Sequence, residues 1–270
     1  MLIRFMSLAS GSSGNCYYLG HEEGGLLIDA GIAPRSISKA LKAEGISLDD
    51  GHIRGVLVTH DHADHIRSVG VLGTVYHIPI YASVPVHNRI ASNRYIDEDL
   101  GASRRTIELG QHFELAGFEV SSFLVPHDSA QNFGYCIRRG DFSFALITDI
   151  GHITPEIKRF ASEVKHLVIE ANYDDEMLKR GPYPEFLKER VAGPLGHLCN
   201  TQTAEVLSEI FHPELENIWL CHLSKDNNHP DLCWKTVENR LFAEGIRVGK
   251  DVNLIALKRT TPSPMYILES

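Results

Sequence analysis

Residues 53–65 read IRGVLVTHDHADH: an apolar run, then three imidazoles and two carboxylates within seven positions. Three histidines so close together cannot all enter an apolar core with their ring nitrogens satisfied. The run before them has the composition of a buried strand, so the ligand-type side chains must emerge where that strand ends. A fold that accepts this segment needs an interior strand whose end opens on a polar site.

The same grammar recurs along the chain. LLIDAG ends on Asp29, FLVPHD on His127, FALITDIG on Asp149 and NIWLCHLS on His222. A strand end is rigid enough to hold a ligand and open enough to admit a substrate. Taken singly, a histidine there reads as a capped surface residue, and a lone HxH as a solvated loop at a helix start. It is the repetition, with four candidate ligands in six residues, that points to metal. His60 and His62 lie two apart, so on an extended end they face one side and can grip one ion. Asp64 and His65 fall where the chain turns into a helix over ADHIRSVGVLG, and their different direction suits a second ion.

Strand-like runs also include LIRFMSLA, NCYYLG, PIYAS, FGYCIR, HLVIEAN and NLIAL. The helix-like segments are PRSISKALKAEG, TPEIKRFAS, YPEFLKERVAG, TQTAEVLSEIF and HPDLCWKTVENRLFAEGI. In the last of these Leu232, Val237, Leu241 and Ile246 recur at helical spacing. Strands come consecutively early and alternate with helices later, which fits an α/β chain of two mixed sheets face to face with helices outside. No linker, repeat or low-complexity stretch divides residues 1–270, which read as one domain. SGSSGNC at 10–16 reads as a small-residue turn between strands, with a phosphate-binding backbone nest as the alternative.

Composition narrows the class. The chain of 270 residues is 43% hydrophobic and 23% charged, an ordinary globular balance. No apolar run approaches the roughly 20 residues of a membrane-spanning helix, and the start is a poor signal peptide. Five cysteines without regular spacing argue for reduced thiols in a cytoplasmic setting. The net charge of −9 excludes a generally basic nucleic-acid-binding surface, so a phosphate-bearing substrate must be drawn by a local field. Arg67, Lys188, Arg190 and Lys225 are candidates to extend such a field around bound metal.

THDHADH followed by His127, Asp149 and His222 resembles the metallo-β-lactamase superfamily over most of the chain. The resemblance implies an αββα sandwich with a dinuclear centre at one edge of the two sheets. His60, His62 and His127 would hold one ion and Asp64, His65 and His222 the other. Asp149 would bridge them, and Asp29 would stand behind the ligands and orient their loop. His62 argues against the diiron branch, which has Glu there, and His65 against the antibiotic-hydrolysing members. The donor set suits two divalent ions, Zn2+ or Mn2+, with iron also compatible.

VIEANYD at 168–174, GHLCNTQTAEVLSEI at 196–210 and CHLSKDNN at 221–228 resemble motifs of the tRNase Z-like phosphodiesterases. That comparison makes Glu170 and His197 a pair beside the metals, with His197 as proton donor. On spacing alone, Glu170 could simply end a strand, and His197 could precede a helix capped by Asn200 or Thr201. SLASGSSGNCYYL, GPYPEFLKERVAGPLGHLCN and HLSKDNN further resemble the YycJ (WalJ) group of bacterial 5′-to-3′ exonucleases, with Cys199 where Ser is expected. Neither the exosite arm used to grip tRNA nor an inserted β-CASP domain is visible, so DNA ends are favoured over RNA. The resemblance implies a metal-activated hydroxide oriented by Asp64, with His197 protonating the leaving oxygen. The alternatives are a small-substrate metallo-hydrolase (thioesterase or cyclic-nucleotide phosphodiesterase) and a non-catalytic, metal-stabilised regulatory scaffold.

Overall fold

The computed structural model describes residues 2–269. Among them two seven-stranded sheets form. The first half supplies β1 (Leu2–Gly11), β2 (Gly14–His21), β3 (Gly24–Ile28), α1 (Pro34–Ala43), β4 (Ile53–Leu57), α2 (Ala63–Ile66), α3 (Val69–Thr74), β5 (Ile80–Ala82), α4 (Val84–Ala91), β6 (Arg104–Thr106), β7 (His112–Leu115) and β8 (Phe118–Leu124). The second half supplies β9 (Phe133–Arg139), β10 (Phe142–Ile147), α5 (Pro155–Ala161), β11 (His166–Glu170), α6 (Asp175–Arg180), α7 (Glu185–Val191), α8 (Asn200–Ile210), β12 (Asn217–Cys221), α9 (Pro230–Ala243), β13 (Asn253–Ala256) and β14 (Tyr266–Glu269).

One sheet runs β14-β1-β2-β3-β4-β5-β6 and the other β13-β12-β11-β10-β9-β8-β7. Each is mixed. Pairs around β1–β3 and β7–β10 are antiparallel, whereas β3–β6 and β10–β13 run parallel. Strands β3 and β10 are buried at every position. Unbroken apolar strands need cover on both faces, which a four-layer sandwich provides. Three apolar layers supply it. Between the sheets lie Phe5, Tyr135, Phe144 and Trp219, with the Phe5 and Trp219 rings 4.6 Å apart between centroids. Ile37 and Leu41 of α1 seal the outer face of the first sheet. Ile157, Leu207 and Val237 of α5, α8 and α9 seal that of the second.

The sequence reading needs four corrections. The helix expected over 63–73 is two short helices broken at Arg67–Ser68, because the Ser68 amide leaves the helical ladder and donates to Ala30 O at 2.8 Å. Strands β6, β7 and β14 and helices α4 and α6 were not anticipated. β6 is exposed throughout and carries no apolar signal, and β7 is four residues long with only Phe113 and Leu115 apolar. On α9, Leu232 faces outward at 39% exposure and Cys233 takes the core position beside Val237 and Leu241. Ile246 lies beyond the end of that helix, still within the core. The turn reading of 10–16 is the one realised: Gly11 ends β1, Gly14 begins β2, and the Gly11 amide donates to Asn15 Oδ1 at 2.9 Å.

Candidate metal centre

The parallel halves of both sheets bring the ligand-bearing strand ends together. Ile28 pairs with Leu57, so Asp29 and the segment from Thr59 leave β3 and β4 side by side. Ile147 pairs with Ile169 and Glu170 with Cys221, so Asp149, Glu170 and His222 leave three adjacent strands. Asp29, Asp149 and His222 all have left-handed backbone, with φ of 58°, 56° and 55°. A non-glycine residue in that region carries strain of about 1–3 kcal/mol, held only where the surroundings over-determine it. Here the left-handed residue stands just past the strand end, where Asp29 meets His65, Asp149 meets His65 and His222 meets Asp64.

Three groups of donors result, each with its ligand atoms within 4.8 Å of one another: His60, His62, His127 and Asp149; Asp64, His65 and His222; and Asp149, Glu170, His197 and His222. All seven residues expected as metal ligands therefore converge, with Asp149 shared. His65 Nε2 stands 3.3 Å from Asp149 Oδ2 and 3.6 Å from Asp64 Oδ2, and His222 Nε2 lies 3.3 Å from Asp64 Oδ2. His127 Nε2 is 3.5 Å from Asp149 Oδ1.

The partners behind these side chains set which nitrogen faces inward. His127 Nδ1 donates to Gly196 O at 3.0 Å, and His62 Nε2 donates to Asp128 O at 3.2 Å. A Cβ at Gly196 would stand 2.2 Å from Val191 O, so only glycine lets this carbonyl segment fold so tightly. Asp29 accepts from His65 Nδ1 at 2.7 Å, from the Thr59 amide at 2.8 Å and from the Thr59 hydroxyl at 2.9 Å. It thus touches both the ligand loop and one ligand. Sequence reasoning missed several supports: Thr59 itself, Thr148 (donating to Asp149 Oδ2 at 2.8 Å), Asn172 (to His222 O at 2.8 Å) and Asn15, 3.0 Å from His65 Nε2. A signal existed for the two threonines. Each is the polar residue directly before a strand-end ligand.

The geometry fits a divalent cation. With their other nitrogens donating to carbonyls, His62 Nδ1 and His127 Nε2 are the nitrogens left to take a ligand, and they face each other at 3.3 Å. Two nitrogens on one tetrahedral zinc, each at about 2.0–2.1 Å, stand roughly 3.3 Å apart. His60 Nε2 is buried with no hydrogen-bond partner, which is costly unless it binds an ion. Burial, and then the positive charge of neighbouring His65, push His60 well below the usual imidazole range, leaving its lone pair available. For His65 and His222 burial acts in the same direction but loses. Asp149, Asp29 and Asp64 carry His65 well upward, and Asp149, Asp64 and Glu170 raise His222 to about 10. This corner of the site demands positive charge.

His197 and Glu170 do meet. His197 Nδ1 donates to Glu170 Oε1 at 2.8 Å and lies 3.8 Å from Asp149 Oδ1. Glu170 is fully buried and also accepts from His222 Nδ1 at 2.9 Å, the Ile150 amide at 2.7 Å and the Leu198 amide at 3.2 Å. Burial opposes its ionisation, but His197 and His222 outweigh it and hold the carboxyl below its ordinary range. The helix after His197 is capped by neither Asn200 nor Thr201. Cys199 is its N-cap, with Sγ accepting from the Gln202 amide while Gln202 Oε1 accepts from the Cys199 amide. The residue expected as Ser thus occupies a capping position, where a hydroxyl would serve the same role.

A family description, beta-lactamase superfamily domain, matches residues 25–215. The chain belongs to the metallo-β-lactamase superfamily. Within the superfamily it is 35% identical over 250 residues to the exodeoxyribonuclease YycJ of Bacillus anthracis, covering 93% of each chain. It is 32% identical over 262 residues to the exodeoxyribonuclease WalJ of Streptococcus pneumoniae, covering 97% of each. The metallo-β-lactamase fold protein YhfI of Bacillus subtilis superposes with a TM-score of 0.69 at 15% identity, over 97% of this chain and 98% of that one. The superfamily's αββα sandwich is thus the fold of this chain, and its cluster of histidines and aspartates is suited to divalent metal binding. The four cations picked out in the sequence fare differently. Arg190 is paired with Asp128 and Lys188 with Glu185, whereas Arg67 and Lys225 make no ion pair among the described residues. No helix among them is long and apolar enough to cross a membrane, and all five cysteines are buried and unpaired.

Proposed function

We propose that this chain, acting as one unit over residues 1–270, is a dinuclear-metal phosphodiesterase, and within that class a 5′-to-3′ DNA exonuclease of the cytoplasm. The observation that carries the reading is the His197–Glu170 pair, 2.8 Å apart, beside a ligand set sufficient for two ions. The exodeoxyribonuclease names of relatives that align along almost the whole chain support the substrate class.

His60, His62 and His127 would hold one ion, Asp64, His65 and His222 the other, with Asp149 reaching both. Bound there, divalent ions (zinc or manganese, with iron compatible) lower the pKa of water and neutralise charge on the phosphoryl oxygens. Asp64, on the cavity wall, accepts a hydrogen bond from the attacking water and so aims it at phosphorus. His197 lines the same cavity of about 210 Å³ and gives its proton to the departing oxygen. Glu170, kept ionised, holds that imidazole by its Nδ1 proton and stabilises its charged form. Asp29 fixes His65 from behind.

One observation favours a second reading. The cavity at the centre is small and the chain carries −9, which would suit a compact substrate such as a thioester or cyclic nucleotide. The deciding experiment joins elemental analysis to a substrate panel: 5′-phosphorylated duplex, single strand, RNA, bis-p-nitrophenyl phosphate and a thioester, with each metal restored in turn. The expected result is two ions per chain and DNA-end hydrolysis that falls steeply with salt, because phosphate contacts release counterions. Thioester turnover with no action on any nucleic acid would overturn the proposal.

A further inference from the structure

The cavity at the metal centre shares a wall with a larger one, which in turn shares a wall with a third. Ser12 and Asp64 also line a cavity of about 580 Å³, and Ser13 and Arg67 carry that one into a third of about 640 Å³. The three form one trench that bends around the hairpin tip between β1 and β2.

Several cations elsewhere are neutralised, as in Arg138 with Glu163, Lys158 with Glu209 and Arg190 with Asp128. In the trench Lys39 and Arg67 are exposed and have no acidic partner among the described residues. Arg259 joins them, its guanidinium donating only to Ser224 O at 3.3 Å. Apart from Asp64, Glu44 is the one acid among the residues lining the two larger cavities. The floor is apolar, with Leu8, Ile32 and Pro262. On the wall between metal centre and far cavity stands Tyr95, 73% exposed, with the Arg94 guanidinium 4.7 Å from its ring centroid. A row of free cations, an apolar floor and an exposed aromatic ring match a polynucleotide strand, whose phosphates are anionic and whose bases present flat apolar faces.

We propose that the trench holds the DNA strand adjoining the scissile phosphodiester in single-stranded form, with a base stacked on Tyr95 and successive phosphates at Arg67 and Lys39. This rests on the phosphodiesterase reading of the metal centre and specifies its substrate. A compact phosphodiester needs only the cavity of about 210 Å³ and leaves the other two unused. A duplex keeps its bases stacked on one another, so Tyr95 would meet no free base face. A duplex end must therefore open before its strand enters, and the trench stabilises the opened strand.

The test uses the metal-loaded full chain and its Tyr95→Ala, Arg67→Ala and Lys39→Ala variants, with metal content checked in each. The readout is kcat/KM for a DNA strand of about ten nucleotides, divided by kcat/KM for bis-p-nitrophenyl phosphate. Tyr95→Ala is expected to lower this ratio roughly tenfold through loss of one stacking contact. Arg67→Ala and Lys39→Ala are each expected to make the salt dependence of strand binding shallower by about 0.7 in log–log slope. Wild-type protein that cleaves the strand, with all three variants keeping its ratio and slope, overturns the inference alone. Wild-type protein that hydrolyses bis-p-nitrophenyl phosphate and no DNA overturns the exonuclease reading and the trench's occupant together.

Discussion

The two halves of the candidate metal centre are built from different chemistry. On one side stand the imidazoles of His60, His62 and His127, with His60 and His127 both held low chiefly by burial. On the other, His65 and His222 stand among Asp29, Asp64, Asp149 and Glu170 and are held high in spite of burial. The difference teaches that burial alone does not decide what a histidine does; the count of carboxylates around it does. It also gives the halves different donor sets, and in general imidazole-rich sites suit zinc while carboxylate-rich ones accept harder ions such as manganese.

The comparison breaks most completely at Asp149, the one carboxylate close to both halves. Asp149→Ala is expected to abolish turnover and bring metal content below two ions per chain by elemental analysis. Full occupancy with normal turnover would mean that the halves are independent. The next effect belongs to His197. His197→Ala should keep both ions while turnover falls by roughly 10²–10⁴-fold, the usual worth of a general acid. The loss should be smaller for p-nitrophenolate, which departs without a proton. Glu170→Ala is expected to do more than disorder His197, because it also strips His222 of its Nδ1 partner and leaves the Ile150 and Leu198 amides unpaired. Metal titration should therefore separate the two variants, with only Glu170→Ala weakening an ion.

Asp29→Asn sharpens the contrast between the halves. It should weaken metal binding by about 10–100-fold, and a competitive chelator titration should find the loss confined to the ion on the His65 side. Equal loss of both ions would make Asp29 a support of the whole loop. The last effect comes from a histidine outside the site and leaves both halves untouched. His166 is buried beside Phe142 and Trp219, and burial and then Lys165 lower it from 6.5 to about 4. Its unfolded form binds the proton first, so its contribution to stability is complete above pH 6.5 and is lost as pH falls toward 4. One pKa unit corresponds to about 1.4 kcal/mol, so His166→Phe should flatten the acid limb of a denaturation series by up to about 3 kcal/mol. An unchanged acid limb would show that His166 does not set it.

The legible and illegible parts of the sequence divide along physical lines. His60, His127, Asp149 and His222 could be read because an interior strand is apolar until it ends, and a ligand type at that point breaks the pattern. β6 could not be read, since an exposed edge strand such as Arg104–Thr106 has no side that must be apolar. The break between α2 and α3 escaped because it depends on Ser68 reaching Ala30, a contact between segments distant in sequence. Asn15 was hidden because it stands at the start of strand β2, just after the hairpin turn, where a small polar residue is commonplace. Its second role appears only once β2 lies beside α2. Cys199 illustrates the opposite case: its departure from the family's serine was visible, but its position as a helix cap was not.

The ligands are divided between the sheets. His60, His62, Asp64 and His65 follow a strand of the first sheet, and His127, Asp149 and His222 follow strands of the second. No cluster that includes a residue of the THDHADH loop can assemble before the two sheets have docked, so cation affinity and sheet docking are linked quantities. An ion bound only in the docked state adds RT ln(1 + [M]/Kd) to the stability of the sandwich. Chelation would then loosen one interface, and the free metal concentration would enter the stability of the sandwich.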